Sequence, residues 1–207
     1  MNFKKLSAML LSGAMIFGLA GCGSQSSSGA DDAAAEDSSE ETTAAAPGDA
    51  AGFTEYPIFE DEKLDFINLS AVYFQAVPMA PGQENFEDFD IHLEADVSAL
   101  ENDLGFGVGD WIPYMTVEYT VTNEAGDTVA SGTMMPMSAS DGPHYGANIA
   151  LPDAGTYNVK FDFSFQDGTY LIHSDSETGP GGLLEDHFKD GKLSYTFEGW
   201  DYTPLEK

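Results

Sequence analysis

Apolar and polar residues alternate in three separate runs of this chain. Apolar side chains fall at 89, 91, 93, 95 and 97 in Phe89–Val97, at 115, 117, 119 and 121 in Met115–Val121, and at 159, 161, 163 and 165 in Val159–Phe165. A period of two sends one set of side chains to a buried face and the other to a wet face, so each run predicts a β-strand. Ile67–Val77 is rich in β-branched and aromatic residues and stops at Pro78, which predicts another. Further strands are expected at 127–135, 145–151, 169–173 and 193–200, with a single helical turn at 99–103. Asn123-Glu-Ala-Gly126, Pro152-Asp-Ala-Gly155 and Gln166-Asp-Gly168 supply turn signals between them. No segment shows a clear helical period, and no internal repeat is visible. Eight or so short strands at this spacing predict an all-β domain, a β-sandwich of Greek-key type.

The N-terminal 52 residues read differently. Lys4 and Lys5 precede a mostly apolar stretch from Leu6 to Ala20, with small residues before Cys22. This predicts a bacterial secretory signal over residues 1–22. Its ending, Leu19-Ala20-Gly21-Cys22, resembles the lipobox of lipoproteins, so Cys22 is expected to carry the lipid, with palmitate-like acyl chains anchoring the protein to the membrane. Cys22 is the chain's single cysteine, so no internal disulfide can form and the fold rests on its core. Residues 23–52 hold no aromatic and no large aliphatic side chain, which predicts a disordered, acidic, Ser/Ala-rich tether. Residues 53–207 are long enough for one domain with a sizeable core. The expected location is extracytoplasmic, lipid-anchored to the cell membrane.

Charge narrows the partners. The chain carries a formal charge of −29; residues 53–207 keep 29 of the 36 acidic residues, five lysines and no arginine, for −24. Nucleic acid is excluded as a natural partner, because phosphate binding needs a basic patch. Cations are attracted and concentrated by such a field.

Two short motifs offer chemistry for a cation. In Asp90-Ile-His-Leu-Glu-Ala-Asp96, His92 and Glu94 are two apart on a predicted strand, so they project from one face about 7 Å apart. In Met134-Met-Pro-Met-Ser-Ala-Ser-Asp-Gly-Pro-His144, the turn at Asp141-Gly142-Pro143 can fold His144 back toward Met137. Each has a plainer reading, as wet-face polar residues or as a methionine at the rim of the core. Together, in a chain with four histidines, they point to a transition-metal site. Thioether and imidazole suit copper, particularly Cu(I); carboxylate and imidazole suit ferrous iron, manganese or zinc. A structural zinc site would use cysteines or more histidines.

The same residues carry a family resemblance. Phe53-Thr-Glu-Tyr-Pro57, Ala71-Val-Tyr-Phe-Gln75, Asp90–Asp96, Trp111-Ile-Pro-Tyr114, Met135-Pro-Met137, Asp141-Gly-Pro-His-Tyr-Gly-Ala-Asn-Ile149 and His173-Ser-Asp-Ser-Glu-Thr-Gly179 resemble the periplasmic iron-transport proteins that accompany a bacterial high-affinity iron permease. The resemblance implies an immunoglobulin-like sandwich, a homodimer, and binding of copper with iron or manganese as alternatives. It implies His92, Met137, His144 and His173 as metal ligands, His173 lying near a dimer contact and serving its own chain or the partner. Glu94 matches a carboxylate of the same site and Glu55 a more distant acidic position. Where the family has an arginine before the third histidine, this chain has Ile172, and Pro180–Phe188 replaces a tryptophan-rich segment. His187 has no ligand counterpart and reads as a surface histidine. Met79, Met134 and Met135 read as packing residues, and Tyr73, Trp111 and Tyr145 as packing around the site.

Three functions follow. The first is capture of extracytoplasmic ferrous iron, with copper at or near the site, and delivery to a membrane iron permease; this makes the protein a transport accessory rather than an enzyme. The second is copper-dependent iron redox chemistry. The third is a surface module that binds a host iron carrier. Hydrolytic chemistry has no nucleophile motif to support it.

Overall fold

The computed structural model describes residues 54–82, 85–188 and 190–206. The expected signal segment 1–22 with Cys22, the expected tether 23–52 and Phe53 lie outside the described residues. All described residues fall within one compact unit, Thr43–Lys207. Among them, no helix is long and apolar enough to cross a membrane.

Eight strands carry the fold: β1 (Tyr56–Leu64), β2 (Ile67–Gln75), β3 (Ile91–Ala99), β4 (Met115–Asn123), β5 (Thr128–Ser138), β6 (Pro143–Ile149), β7 (Gly155–Phe165) and β8 (Leu193–Tyr202). Every pairing is antiparallel, in the order β1-β2-β3-β6-β5-β4-β7-β8. Strands β4, β5 and β6 are consecutive hairpins, with β3 beside β6 and β7 beside β4, so two Greek keys overlap. The all-β Greek-key expectation holds. The first part of β5 pairs with β4, from Thr128 to Met134, and the last part pairs with β6, from Met135 to Ser138. Strand β5 thus passes from one layer of the sandwich to the other.

The alternating residues explain the packing. Ile67, Leu69, Ala71, Ile91, Leu93 and Ala95 from one layer are fully buried, as are Val117, Val121, Val159, Phe161 and Phe163 from the other. Each large aliphatic or aromatic side chain so buried stabilises the fold by roughly 1.5–3 kcal/mol. Phe59 of β1 packs on Phe197 of β8 at 5.4 Å between ring centroids, nearly closing the sheet. Tyr73 joins Trp200 and Tyr202 at 5.2 and 5.6 Å. Tyr145 donates its hydroxyl proton to the Ile112 carbonyl at 2.9 Å and accepts from the Met115 N–H at 3.0 Å. Burial pushes that phenol up to about 12. Tyr73 and Tyr145 therefore belong to the sandwich core and not to a metal surround.

Four expectations change. Residues 169–173 form no strand; they lie in the loop between β7 and β8 with no ladder partner among the described residues. Residues 99–103 form no helical turn. The Asn102 side chain donates to the carbonyls of Leu100 and Phe106 and accepts from the N–H of Leu104, so the backbone bonds a helix needs go elsewhere. Strand β1 was not anticipated: its register slips twice, and Asp61 stands at φ 55°, which breaks the period of two. Finally, β3 has no wet face over its first five residues, since His92 and Glu94 are buried alongside Ile91, Leu93 and Ala95.

Candidate metal centre

Three adjacent strands build the site on the face of the sheet opposite the sandwich core. Glu94 of β3 lies opposite Gly146 of β6, which lies opposite Met135 of β5. His92 lies opposite Asn148, and Met137 opposite His144. Residues directly opposite in an antiparallel ladder share a face, and so do residues two apart along a strand. Gly146 is therefore the hub, and His92, Glu94, Met135, Met137, His144 and Asn148 surround it. The hairpin joining β5 to β6 keeps Met137 beside His144: Ala139 N–H donates to the Gly142 carbonyl at 2.9 Å, and Gly142 takes φ 148°, which favours glycine.

The space over Gly146 is a cradle. A Cβ at this position would stand 2.5 Å from Nε2 of His92 and 3.1 Å from Sδ of Met137. A larger residue would collide with the imidazole and crowd the thioether, whereas the hydrogen of glycine leaves both aimed at one point. Glu94 closes the third side, its Oε1 3.6 Å from Nε2 of His92 and 3.0 Å from Nε2 of His144. His92, Glu94 and His144 can place one ligand atom each within 4.8 Å of one another. All three are at most 3 % exposed. Nε2 of His144 is buried and has the Glu94 carboxylate as its near neighbour. A cation held by imidazole, thioether and carboxylate is what this donor set fits.

The second layer sets the proton positions. Oδ1 of Asn148 accepts from the Val77 N–H at 3.2 Å, and its Nδ2 donates to the Val77 carbonyl at 2.9 Å. The backbone thus decides which way the amide faces. Its oxygen lies 2.9 Å from Nδ1 of His92, so Nδ1 carries the proton and Nε2 presents its lone pair to the cradle. Phe74 packs on the same ring at 5.2 Å.

The electrostatics are acidic. Burial lowers the pKa of His144, but the hydrogen-bonding and charge of Glu94, with Asp96 and Asp141, outweigh it, and the net shift is upward. Asp96 is pushed up to about 7, chiefly by burial, then by Glu94, with His144 opposing and Asp141 and Glu55 adding. A second group of carboxylates adjoins the first: Glu55, Glu94 and Asp141 can bring one oxygen each within 4.8 Å of one another. Glu55 is therefore next to the centre and not distant from it. In the sequence Asp141 is only a turn residue; the hairpin brings it against Glu94. Beside His144 a pocket of about 400 Å³ opens, lined among others by Ser70, Asp96, Asp110, Trp111 and Asp141.

The remaining candidates lie elsewhere. His173 is exposed in the β7–β8 loop, its Nδ1 2.8 Å from Oγ1 of Thr178. The structure does not place it with His92, Glu94 and His144. His187, in the short helix α1 (Leu184–His187), sits between Asp65 and Asp103, one carboxylate for each ring nitrogen. It is an ion-paired residue and not a free surface histidine. Met134 is packed in the core, whereas Met135 is 62 % exposed, against the packing role expected for it.

The profile of the family described as Fe2+ transport protein matches residues 52–203. The chain is 43 % identical over 140 residues to the 34 kDa membrane antigen of Treponema pallidum, covering 64 % of this chain and 69 % of that one. It is 40 % identical over 134 residues to a UPF0423 protein of Brucella abortus, covering 61 % and 74 %. Among solved structures, FetP of a uropathogenic Escherichia coli, expressed in the periplasm, is similar at TM-score 0.66 with 41 % identity, covering 75 % of this chain and 100 % of that one. Copper-reconstituted P19 of Campylobacter jejuni is similar at TM-score 0.65 with 36 % identity, covering 74 % and 99 %.

Proposed function

Because the chain belongs to the Fe2+ transport protein family, we propose that it is an extracytoplasmic metal-binding protein that captures ferrous iron, holds copper at or beside the iron, and hands iron to a membrane permease. The observation that carries this reading is the cradle over Gly146, where an imidazole nitrogen and a thioether sulfur face one point beside a buried carboxylate. Copper-bound P19 is a similar structure, which supports copper for the soft donors. His92, Met137 and His144 would hold it. A bound copper ion supplies one-electron chemistry and a fixed positive charge. The chain's residues do the rest: Asn148 aims His92, Gly146 leaves room, and burial excludes water. Ferrous iron is the cargo, and the carboxylates Glu94, Glu55 and Asp141 are the hard donors that suit it.

His173 completes the centre of a second copy in a homodimer; Leu171, two residues away and 81 % exposed, gives that loop an apolar surface to bury. Lipid on Cys22 keeps the domain at the membrane, near its permease.

The direct experiment is competition between copper and ferrous iron for the purified metal-free protein, in wild type and Met137→Leu. Loss of copper preference with retained iron binding supports the division of donors. Wild-type affinity for both ions in a His92→Ala, His144→Ala double variant would refute the centre.

A further inference from the structure

We propose that Met135 is a solvent-facing soft ligand through which a monovalent d10 cation, Cu(I), reaches the donors over Gly146; this rests on the centre proposed above. The ladder places Met135 directly opposite Gly146, on the other side of the hub from Glu94. Gly146 has no side chain to fill the space between position 135 and the point that His92 and Met137 face. Met135 and Met137 are two apart on one strand face with no register slip between them, so their side chains start about 7 Å apart on the same side. Pro136 between them holds its φ near the extended range, which keeps the pair aligned.

The two methionines differ in burial. Met137 is half-buried within the cradle, and Met135 is 62 % exposed. Its neighbour Met134, on the opposite face, is 2 % exposed in the core. A flexible thioether in solvent beside a buried imidazole-thioether set is a ligand that can bind the soft ion before the buried donors do. Thioethers bind Cu(I) without losing a proton, so the acidic surroundings do not compete at this first step. His92, Met137 and His144 would then take the ion over from Met135, with no change in oxidation state and no bond broken within the protein. Hard divalent ions gain nothing from a thioether and would use the carboxylate side instead.

The test uses the full chain, metal-free, with its methionine methyls labelled with ¹³C, titrated with silver nitrate as a redox-inert soft probe. The Met135 and Met137 methyl resonances are both expected to shift within the first equivalent, and Met135 to shift still in Met137→Leu. A Met135 signal that stays put while Met137 moves overturns this inference and leaves the centre intact. If neither moves, both fail. Uptake of Cu(I) from a bicinchoninate complex, followed anaerobically by stopped flow, gives the second readout. Met135→Leu, at an exposed position that does not threaten folding, is expected to load about tenfold more slowly, with final stoichiometry and ferrous-iron uptake unchanged. Equal rates would rule Met135 out as the way in.

Discussion

The side-chain amide of Asn148 and the imidazole of His92 act as one unit: a backbone-locked carbonyl oxygen holds the Nδ1 proton at 2.9 Å, and the opposite ring nitrogen faces the cradle. The orientation of this imidazole is thus decided by the main chain of Val77, 15 positions upstream of it. Loss of such an outer partner typically lowers metal affinity about 10–100-fold. Asn148→Leu is expected to fall in that range, measured by competition with a chelator, while His92 remains in place.

Gly146 carries the most exacting steric demand. Gly146→Ala would put a methyl carbon 2.5 Å from Nε2 of His92 and 3.1 Å from Sδ of Met137. Metal stoichiometry is expected to drop toward zero. Overpacking costs about 1–3 kcal/mol, so thermal unfolding should still show a cooperative, somewhat destabilised domain. Full metal content in a folded Gly146→Ala protein would contradict the cradle.

Asp141 separates the two kinds of donor. Its carboxylate groups with Glu55 and Glu94. Asp141→Asn is expected to weaken Mn(II) and Fe(II) binding about tenfold and leave Cu(I) affinity within a factor of two, because hard ions prefer carboxylate and soft ions do not. Calorimetry with each ion reads the difference.

His173 can be assigned by complementation. His92→Ala and His173→Ala chains each lack one of the proposed donors. If His173 serves a second copy, mixing the two variants regenerates one complete centre per heterodimer, and metal binding partly returns. A mixture that binds no better than either variant alone would place His173 outside the partner's site. Its exposed loop position makes His173→Ala nearly neutral for folding, within about 0.5 kcal/mol.

His187 gives stability a pH dependence with a definite sign. Burial lowers its pKa, but Asp103 and Asp65 outweigh burial and the folded value is raised. The folded state therefore binds its proton more tightly than the unfolded chain, whose histidine titrates near about 6.5. The contribution is complete below that value and is lost as pH rises through the folded pKa. Asp96, raised to about 7, acts in the same direction, so wild type alone does not isolate His187. Denaturant unfolding of wild type and His187→Gln across this range is expected to show the largest stability gap at the acid end, narrowing as pH rises. A gap independent of pH would mean the ion pairs contribute nothing.

The residues that set the fold were legible because a strand's period of two is written directly in the chain. Ile91, Leu93 and Ala95, and Val117, Val121, Val159 and Phe161, declare a buried face by alternation alone, and the antiparallel ladder follows. Strand β1 was hidden because Pro57 and the bulge at Asp61 spoil that alternation, and residues 169–173 looked like a strand because composition does not reveal whether a partner is in reach. The donor types were legible as well: His92 and Glu94 two apart, Met137 and His144 across a turn. What only the tertiary structure decided is which of them meet. Gly146 reads as an ordinary glycine and Asp141 as a turn former, until pairing of β3, β6 and β5 makes one the floor of the site and the other its acidic neighbour. Local sequence fixes which way each side chain points along its own strand; register between strands distant in sequence fixes what stands opposite, and that depends on the whole domain closing at once.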